Sequence, residues 1–442
     1  MIWAGLSLDA RVGALLENTA NKTRNGMAER VEATYWMESP YEIERAADVV
    51  GGEQSSGTFV QVPGETADLK ARFRARIEEV KLLDPAEAPS LPGAAESSSG
   101  TYQRAEVRLS FSIENMGANL PTLIATVAGN LFELRDVSGL KLVDIEVPDA
   151  FKEAYPGPQF GITGTRELAG VQDRPIIGTI VKPSVGLSPE ATADLVRDLA
   201  GADIDFVKDD ELMANPPHSP IEERVEKVMA VINEAAEANG KKVMYAFNIT
   251  DELDAMLRHH DMVKAAGGTC VMVSLNSIGP VALAHLRKHC ELPIHGHRNG
   301  WGMYTRSPHL GMGFRAYQKI WRLAGADHIH VNGLQNKFWE PDDSVVNSIQ
   351  ACFERFLGGY PVMPVISSGQ TGMQAPETYA RINSVDVMYL AGGGMMAHPG
   401  GPPAGNIALL QCWEAAVHGI PLETYAESNP ELAQSIEKFG KR

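Results

Sequence analysis

The residues best equipped for chemistry in this chain stand in a row, Lys208-Asp209-Asp210-Glu211, at the close of a short apolar run. Successive side chains of a strand alternate between faces, so Lys208 and Asp210 share a face, and Glu211 can join them where the strand opens into its loop. Carboxylate oxygens grouped in this way suit Mg2+, which prefers oxygen ligands and water in an octahedron. An ammonium is no such ligand. Lys208 therefore has two readings: a counter-ion that neutralises the acids, or a neutral amine that has captured CO2 to become an anionic carbamate and a ligand itself. Taken alone, the four residues also fit a solvated charge run.

Other reactive groups close other apolar runs. PIIGTIVKP carries Lys182 near its end, LPIHGHRNG carries His297 and Arg298, and ADHIHVNG carries His330. MPVISSG ends in Ser367, Ser368 and Gly369, and VDVMYLAGGG in Gly392, Gly393 and Gly394. An arginine offers a planar fork to phosphate or carboxylate. Strand-end glycines can offer backbone N–H groups to an anion.

With KVMYAFNIT and TCVMVSL there are eight such runs, separated by amphipathic stretches of helical length such as IEERVEKVMAVINEAAEAN and FRAYQKIWRLAG. Strands alternating with helices imply βα units and a parallel sheet. Eight units fit a TIM (β/α)8 barrel better than an open doubly wound sheet, which has fewer strands and a glycine fingerprint after the first. The polar and glycine residues gather at the ends of the runs, and the C-terminal rim of a barrel is where such enzymes keep their catalytic groups.

Upstream the texture differs. VEATYWME, AEVRLSFSIE and LKLVDIEVP alternate as strands, and YEIERAADVVGG suits a helix, so residues 27–155 are expected to form a small α+β domain of ferredoxin-like type ahead of a barrel over 156–442. The Pro-, Ala- and Ser-rich run from Asp84 to Gly100 reads as an exposed loop. Residues 1–26 lack the features of a signal peptide and are expected to be an extension ahead of Met27, or else a helix with Leu6, Val12, Leu15 and Leu16 on one face.

A formal net charge of -17 argues against a general nucleic-acid surface, so any phosphate must be gripped locally. No stretch is long and apolar enough to span a bilayer. The four cysteines, Cys270, Cys290, Cys352 and Cys412, lie far apart and read as buried small hydrophobes in a reducing cytoplasm.

The segments GTIVKPSVGLSPE, DFVKDDELMANPP, IHGHRNG, DHIHVNGLQNKF, ISSG and AGGGMMAHPGGPPAG resemble, in order and spacing, the RuBisCO large-subunit superfamily. GEQSSGTF and LPTLIATVAGNLFE resemble that family's small domain. The resemblance implies that Lys208 is the carbamylated lysine, with Asp210 and Glu211 the other Mg2+ ligands, and that Lys182 handles protons. It makes His297 and His330 catalytic and Arg298 a substrate group. Lys337 becomes the lysine of a mobile loop, and Ser368, Gly369, Gly392 and Gly393 become phosphate-binding. It further implies that Glu53 and Thr58 reach into a partner's barrel, hence a homodimer or an assembly of dimers. His295 and His328 are expected to face the helices.

Departures from the family's carbon-fixing members narrow the function. Ser184 follows Lys182-Pro183 where those members carry a second lysine, Thr122 replaces an asparagine, Phe59 a tryptophan and Gln370 a glycine, and the loop before Lys337 is less glycine-rich. The expectation is an enzyme that forms an enolate from a phosphorylated sugar acid without fixing CO2. HRNGWGMYTRSPHLGMGF and VNGLQNKFWEPDDSV look most like the RuBisCO-like group that decarboxylates 3-oxo-isoapionate 4-phosphate. The alternatives are the methionine-salvage enolase of the same superfamily, or a barrel that has become a binding or regulatory protein. Trp301, Tyr304 and Arg306 are candidate specificity residues, with a packed aromatic loop as the other reading.

Overall fold

The computed structural model describes residues 29–57 and 62–441. The proposed extension over residues 1–26, together with Thr58 and Phe59, lies outside the described residues. β1 (Arg30–Ser39) buries Val31, Ala33, Tyr35 and Met37 in alternation, as a strand with one face on a core must. It is followed by α1 (Ile43–Glu53), β2 (Arg76–Ala86), β3 (Tyr102–Ser112), α2 (Leu120–Val127) and β4 (Gly139–Glu146). β1 pairs antiparallel with β3 and β4, and β2 pairs antiparallel with β3. This β-α-β-β-α-β order is the ferredoxin-like arrangement. β2 was not anticipated, and it claims Asp84–Ala86 from the expected loop. It is an edge strand exposed on both faces, so no buried alternation marks it in the sequence.

The barrel strands are β5 (Ile176–Ile180), β6 (Phe206–Lys208), β7 (Met244–Asn248), β8 (Cys270–Ser274), β9 (Ile294–His297), β11 (His328–His330), β12 (Met363–Ile366) and β13 (Met388–Leu390). All pair in parallel and close in the order β11-β12-β13-β5-β6-β7-β8-β9, so the eight expected runs are the eight staves. α3 (Gly161–Ala169) covers the N-terminal mouth, and its Ala169 packs with the barrel's inner residues Ile176, Phe206, Met244, Met363 and Met388. Gly178 must stay small, because a Cβ there would meet the Phe206 carbonyl oxygen on the next strand at 2.6 Å.

The helices between and after the strands are α4 (Pro189–Gly201), α5 (Ile221–Asn239), α6 (Leu253–Ala265), α7 (Leu275–His289), α8 (Phe314–Ala324), α9 (Asp342–Phe353), α10 (Ala375–Ile382) and α11 (Gly401–His418). Between β9 and α8 the chain leaves the barrel as β10 (Leu310–Met312), which pairs parallel with β4 and becomes the fifth strand of the other domain's sheet. Lys141 on β4 donates to the Thr305 and Ser307 carbonyls, and Lys319 on α8 donates to that of Ile145, so the two domains share hydrogen bonds.

Carboxylates at the lower end of the barrel are structural. Asp205, just before β6, accepts from the Ile177 N–H and pairs with Arg174 and Lys241. Asp327, just before β11, accepts from the N–H groups of Phe160, Gly161 and Ile294 and pairs with Arg287. The upper end carries a different set of acids. The four cysteines are buried and free. Among the described residues, no helix is long and apolar enough to cross a membrane.

Candidate active site

At the end of β6 the alternation works as expected. Lys208 is fully buried in the barrel mouth, whereas Asp209 points outward, accepting from the Tyr245 hydroxyl at 2.6 Å and the Asn248 N–H at 2.9 Å and pairing with Arg224 at 3.2 Å. Arg224 also donates to the carbonyls of Met213, Ala214 and Ser219, tying down the loop that follows Glu211. Asn248 donates from its amide to the Asp210 and Glu211 carbonyls. The backbone of both acids is thus fixed from β7 and α5.

The side chains of the cluster interleave cations and anions. Lys182, at the end of β5, donates to Asp210 Oδ2 at 2.6 Å and to Ser184 Oγ at 2.8 Å. Lys208 Nζ donates to the Asp209 carbonyl at 2.7 Å and lies 3.6 Å from Glu211. Burial pushes the pKa of Lys208 down, against the pull of its acidic neighbours, and so favours the neutral amine that reacts with CO2. Glu211 also lies 3.5 Å from His297 Nε2. Burial opposes its ionisation, but the positive field of His297 and Lys208 wins, and its carboxyl is held below the usual range. Asp210 and Glu211 offer hard carboxylate oxygens of the kind Mg2+ takes, beside the desolvated amine of Lys208.

The remaining rim residues are placed by β9, β11, β12 and β13. Arg298 is buried between the rings of Trp301 and Phe314, and its Nη2 donates to Glu340 at 2.9 Å, while its buried Nη1 has no hydrogen-bond partner among the described residues. His330 bonds through both ring nitrogens, to His295 and to Ser367. Ser368 and Gly369 have φ of 78° and 85°; this left-handed conformation is unusual for the serine, whose hydroxyl donates to Asn332 Oδ1 at 2.7 Å. Gly392 sits beside Lys182, and Gly393 opens a short helix (Gly393–Met396).

Two family models match this chain. The one described as Ribulose bisphosphate carboxylase large chain, catalytic domain, covers residues 161–439, and its N-terminal domain counterpart covers 28–151. The chain belongs to the RuBisCO large-chain family. It is 54% identical over 412 residues to a 3-oxo-isoapionate-4-phosphate transcarboxylase/hydrolase of Xanthobacter autotrophicus, covering 93% of this chain and 99% of the relative. It is 47% identical to a 3-oxo-isoapionate-4-phosphate decarboxylase of Rhizobium etli, covering 92% and 98%. Among solved structures, a rubisco-like protein from Burkholderia fungorum superposes with a TM-score of 0.86 at 45% identity, covering 93% of this chain and all of that one. A rubisco from Hyperthermus butylicus, described as dimeric, superposes at 0.80 with 29% identity, covering 93% and 96%.

Several residues lie where the family resemblance did not point. His295 and His328 do not face the helices: both are fully buried within the barrel, His295 against Phe206. The two-residue period of a strand puts 295 on the same face as 297, and 328 on that of 330. Trp301 is a packing residue, whereas Tyr304 and Arg306 are exposed. Lys337 is exposed, with its ammonium over the Phe338 ring; its backbone N–H donates to the Ser368 carbonyl, and its Cβ and Cγ lie beside Gly369 of the β12 loop. Glu53 ends α1, exposed, in the other domain.

Gln370 and Glu340 were missed as anchors. Gln370 occupies the space a Cβ on Gly333 would need and donates to the Leu334 carbonyl, fastening the loop after β11 to the loop after β12, while the Tyr389 hydroxyl beside it donates to the Thr371 carbonyl at 2.6 Å. Glu340 holds Arg298, Asn332 and Ser344 together. No spacing in the sequence pairs such distant positions.

Proposed function

We propose that this chain is a Mg2+-dependent decarboxylase of a phosphorylated β-keto sugar acid, 3-oxo-isoapionate 4-phosphate or a close analogue. The observation that carries the reading is the pairing of Lys182 with Asp210 beside the buried Lys208–Glu211 pair, in a chain so similar to proteins named for that substrate. Asp210, Glu211 and a carbamate on Lys208 would hold Mg2+. When bound, it supplies fixed positive charge beside the keto oxygen, where negative charge develops.

The residues divide the rest of the work. Loss of CO2 breaks the bond between the carboxyl carbon and its neighbour and leaves the electron pair as an enolate. Lys182, at the mouth of the cluster, is positioned to give that carbon a proton from Nζ. Ser368, Gly369, Gly392 and Gly393 present backbone toward a phosphate between β12 and β13, the usual place in a barrel. His297, hydrogen-bonded to Asn299 and close to Glu211, orients the substrate oxygen nearest the metal ligands. Glu53 and Thr58 complete the site from a partner subunit of a homodimer.

Ser184 accepts a hydrogen bond from Lys182 where the carbon-fixing members place a second cation, so CO2 fixation is not expected. The 54% identity to a transcarboxylase/hydrolase supports a second reading, in which the CO2 freed by the same cleavage forms a new C–C bond to another nucleophilic carbon of the resulting enolate instead of leaving. One experiment separates them: CO2 released per 3-oxo-isoapionate 4-phosphate consumed, with Lys182→Ala and Lys208→Ala as controls. One CO2 per turnover, lost in both variants, supports decarboxylation. Consumption without release supports carboxyl transfer, and no consumption refutes both.

A further inference from the structure

β2 ends the sheet of the N-terminal domain, whose strand order is β10-β4-β1-β3-β2, so one of its edges has no strand partner among the described residues. A free edge presents a row of unpaired N–H and C=O groups, a template for another strand. At 11 residues β2 is long for an edge, and its apolar side chains are poorly covered. Its register with β3 sets Ile77, Val80 and Leu82 opposite Leu109, Val107 and Ala105, on the face that carries the domain's core. The bulge at Glu78 keeps Ile77 in that row. Val80 packs partly against the core, but Ile77 and Leu82 are exposed, Leu82 by 66%.

The other face carries charge. Glu79 and Lys81 lie opposite Arg108 and Glu106; Glu79 pairs with Arg108 at 3.2 Å, whereas Lys81 has no ion-pair partner among the described residues. A lysine on an edge ordinarily discourages pairing, because an incoming strand must bring it an anion. This strand brings its own. Two copies running antiparallel about a two-fold axis at Val80 set each Lys81 opposite the partner's Glu79, and each Val80 opposite the partner's Val80. The bulge then leaves Ile77 opposite the partner's Leu82, so the two apolar rows join on one face. Other registers fail: a slip of one residue turns the apolar row of one copy to the charged face of the other. An axis at Lys81 sets lysine against lysine, and an axis at Glu79 sets glutamate against glutamate.

We propose that the free edge of β2 is a docking surface for a second copy of this chain, β2 against β2 antiparallel about Val80, which joins two five-stranded sheets into one. The charge pattern makes the contact selective, since Lys81 repels a strand that lacks a carboxylate at the matching position. It is a different contact from the one proposed for Glu53, which lies at the end of α1. A chain with two such two-fold contacts builds dimers of dimers or larger closed assemblies.

Sedimentation of the full-length protein tests it without any turnover, so its failure and that of the proposed reaction are distinguishable. Lys81→Glu sets glutamate against glutamate on both sides of the axis; it should weaken association by at least about tenfold and lower the assembly mass to half that of the wild type or less. Glu79→Lys should do the same. An equimolar mixture of the two variants should regain the wild-type mass, because each then meets opposite charge. An unchanged mass in either variant, or no recovery on mixing, overturns the proposal. A second measurement does not depend on charge. The four native cysteines are buried, so Val80→Cys adds the one accessible thiol among the described residues, and on the axis it should form a disulfide-linked dimer under mild oxidation. Lys81→Cys should not, its counterpart lying about two residues away along the partner strand. A thiol at position 80 that stays free, as it would if residues 1–28 of the same chain covered the edge, overturns the proposal, and so does equal cross-linking from position 81.

Discussion

Binding of Mg2+ should depend on CO2, and the charges of the cluster say by how much. In the structure two lysines, 182 and 208, balance two carboxylates, 210 and 211. Such a site has no excess negative charge for a divalent cation. Converting the Lys208 ammonium to a carbamate replaces a positive charge with a negative one, leaving a surplus of two negative charges that one Mg2+ cancels. At a Mg2+ concentration about a hundredfold above Kd, binding stabilises the folded state by about 2.7 kcal/mol. A large domain gains about 2 °C in Tm per kcal/mol, so a rise of about 5 °C is expected. The assay is thermal unfolding in Mg2+ with and without bicarbonate. Carbamate formation from an ammonium releases two protons, so the shift should grow with pH; burial of Lys208, which lowers its pKa, makes it appear at lower pH than for an exposed lysine. Lys208→Ala should abolish the bicarbonate dependence. An equal shift without bicarbonate, or an undiminished one in Lys208→Ala, would refute the reasoning.

Three further outcomes follow from contacts around the site and in the N-terminal domain. Arg224→Met strands the buried Asp209 carboxylate and should lower unfolding stability by about 3–5 kcal/mol in urea titration. Gln370→Ala removes the buried bond from its amide to the Leu334 carbonyl at the base of the loop carrying Lys337; at about 1 kcal/mol for a net bond, KM should rise about fivefold and Tm should fall by about 2 °C. Glu38 is buried, which favours its neutral form, but hydrogen bonds from Ser90, Ser138 and Arg104 outweigh that and lower its pKa. Its stabilisation is therefore complete above the unfolded carboxyl value of about 4.3 and fades as pH falls through the lower folded value. Glu38→Gln should flatten that part of the acid unfolding curve.

The barrel was legible because each stave is a short apolar run closed by reactive residues, and the fate of Lys208, Asp209 and Asp210 followed from alternation alone. The expectation that His295 and His328 face the helices misapplied the same rule: positions two apart share a face, so 295 goes with 297 and 328 with 330, inside the barrel. β2 and β10 were invisible for a different reason. One is exposed on both faces, and the other is three residues long and exists because β4 offers it an edge. Arg298, Glu340 and Gln370 show where one-dimensional reading stops, since each acts through a partner brought near only when the barrel closes.

The placement of the acids explains why one fold can hold both stability and reactivity. At the lower mouth Asp205 and Asp327 each meet a backbone N–H and a guanidinium, which keeps its charge, and Asp205 meets Lys241 besides. At the upper mouth Asp210 and Glu211 meet lysines, and a lysine, unlike an arginine, can give up its proton and its charge. Asp209 stands between the two regimes: it sits on the catalytic loop but is held by Arg224, Tyr245 and Asn248 as firmly as the acids of the floor. The loop is therefore anchored by the one acid fixed by a guanidinium, while its neighbours are paired with lysines, whose charge can be lost.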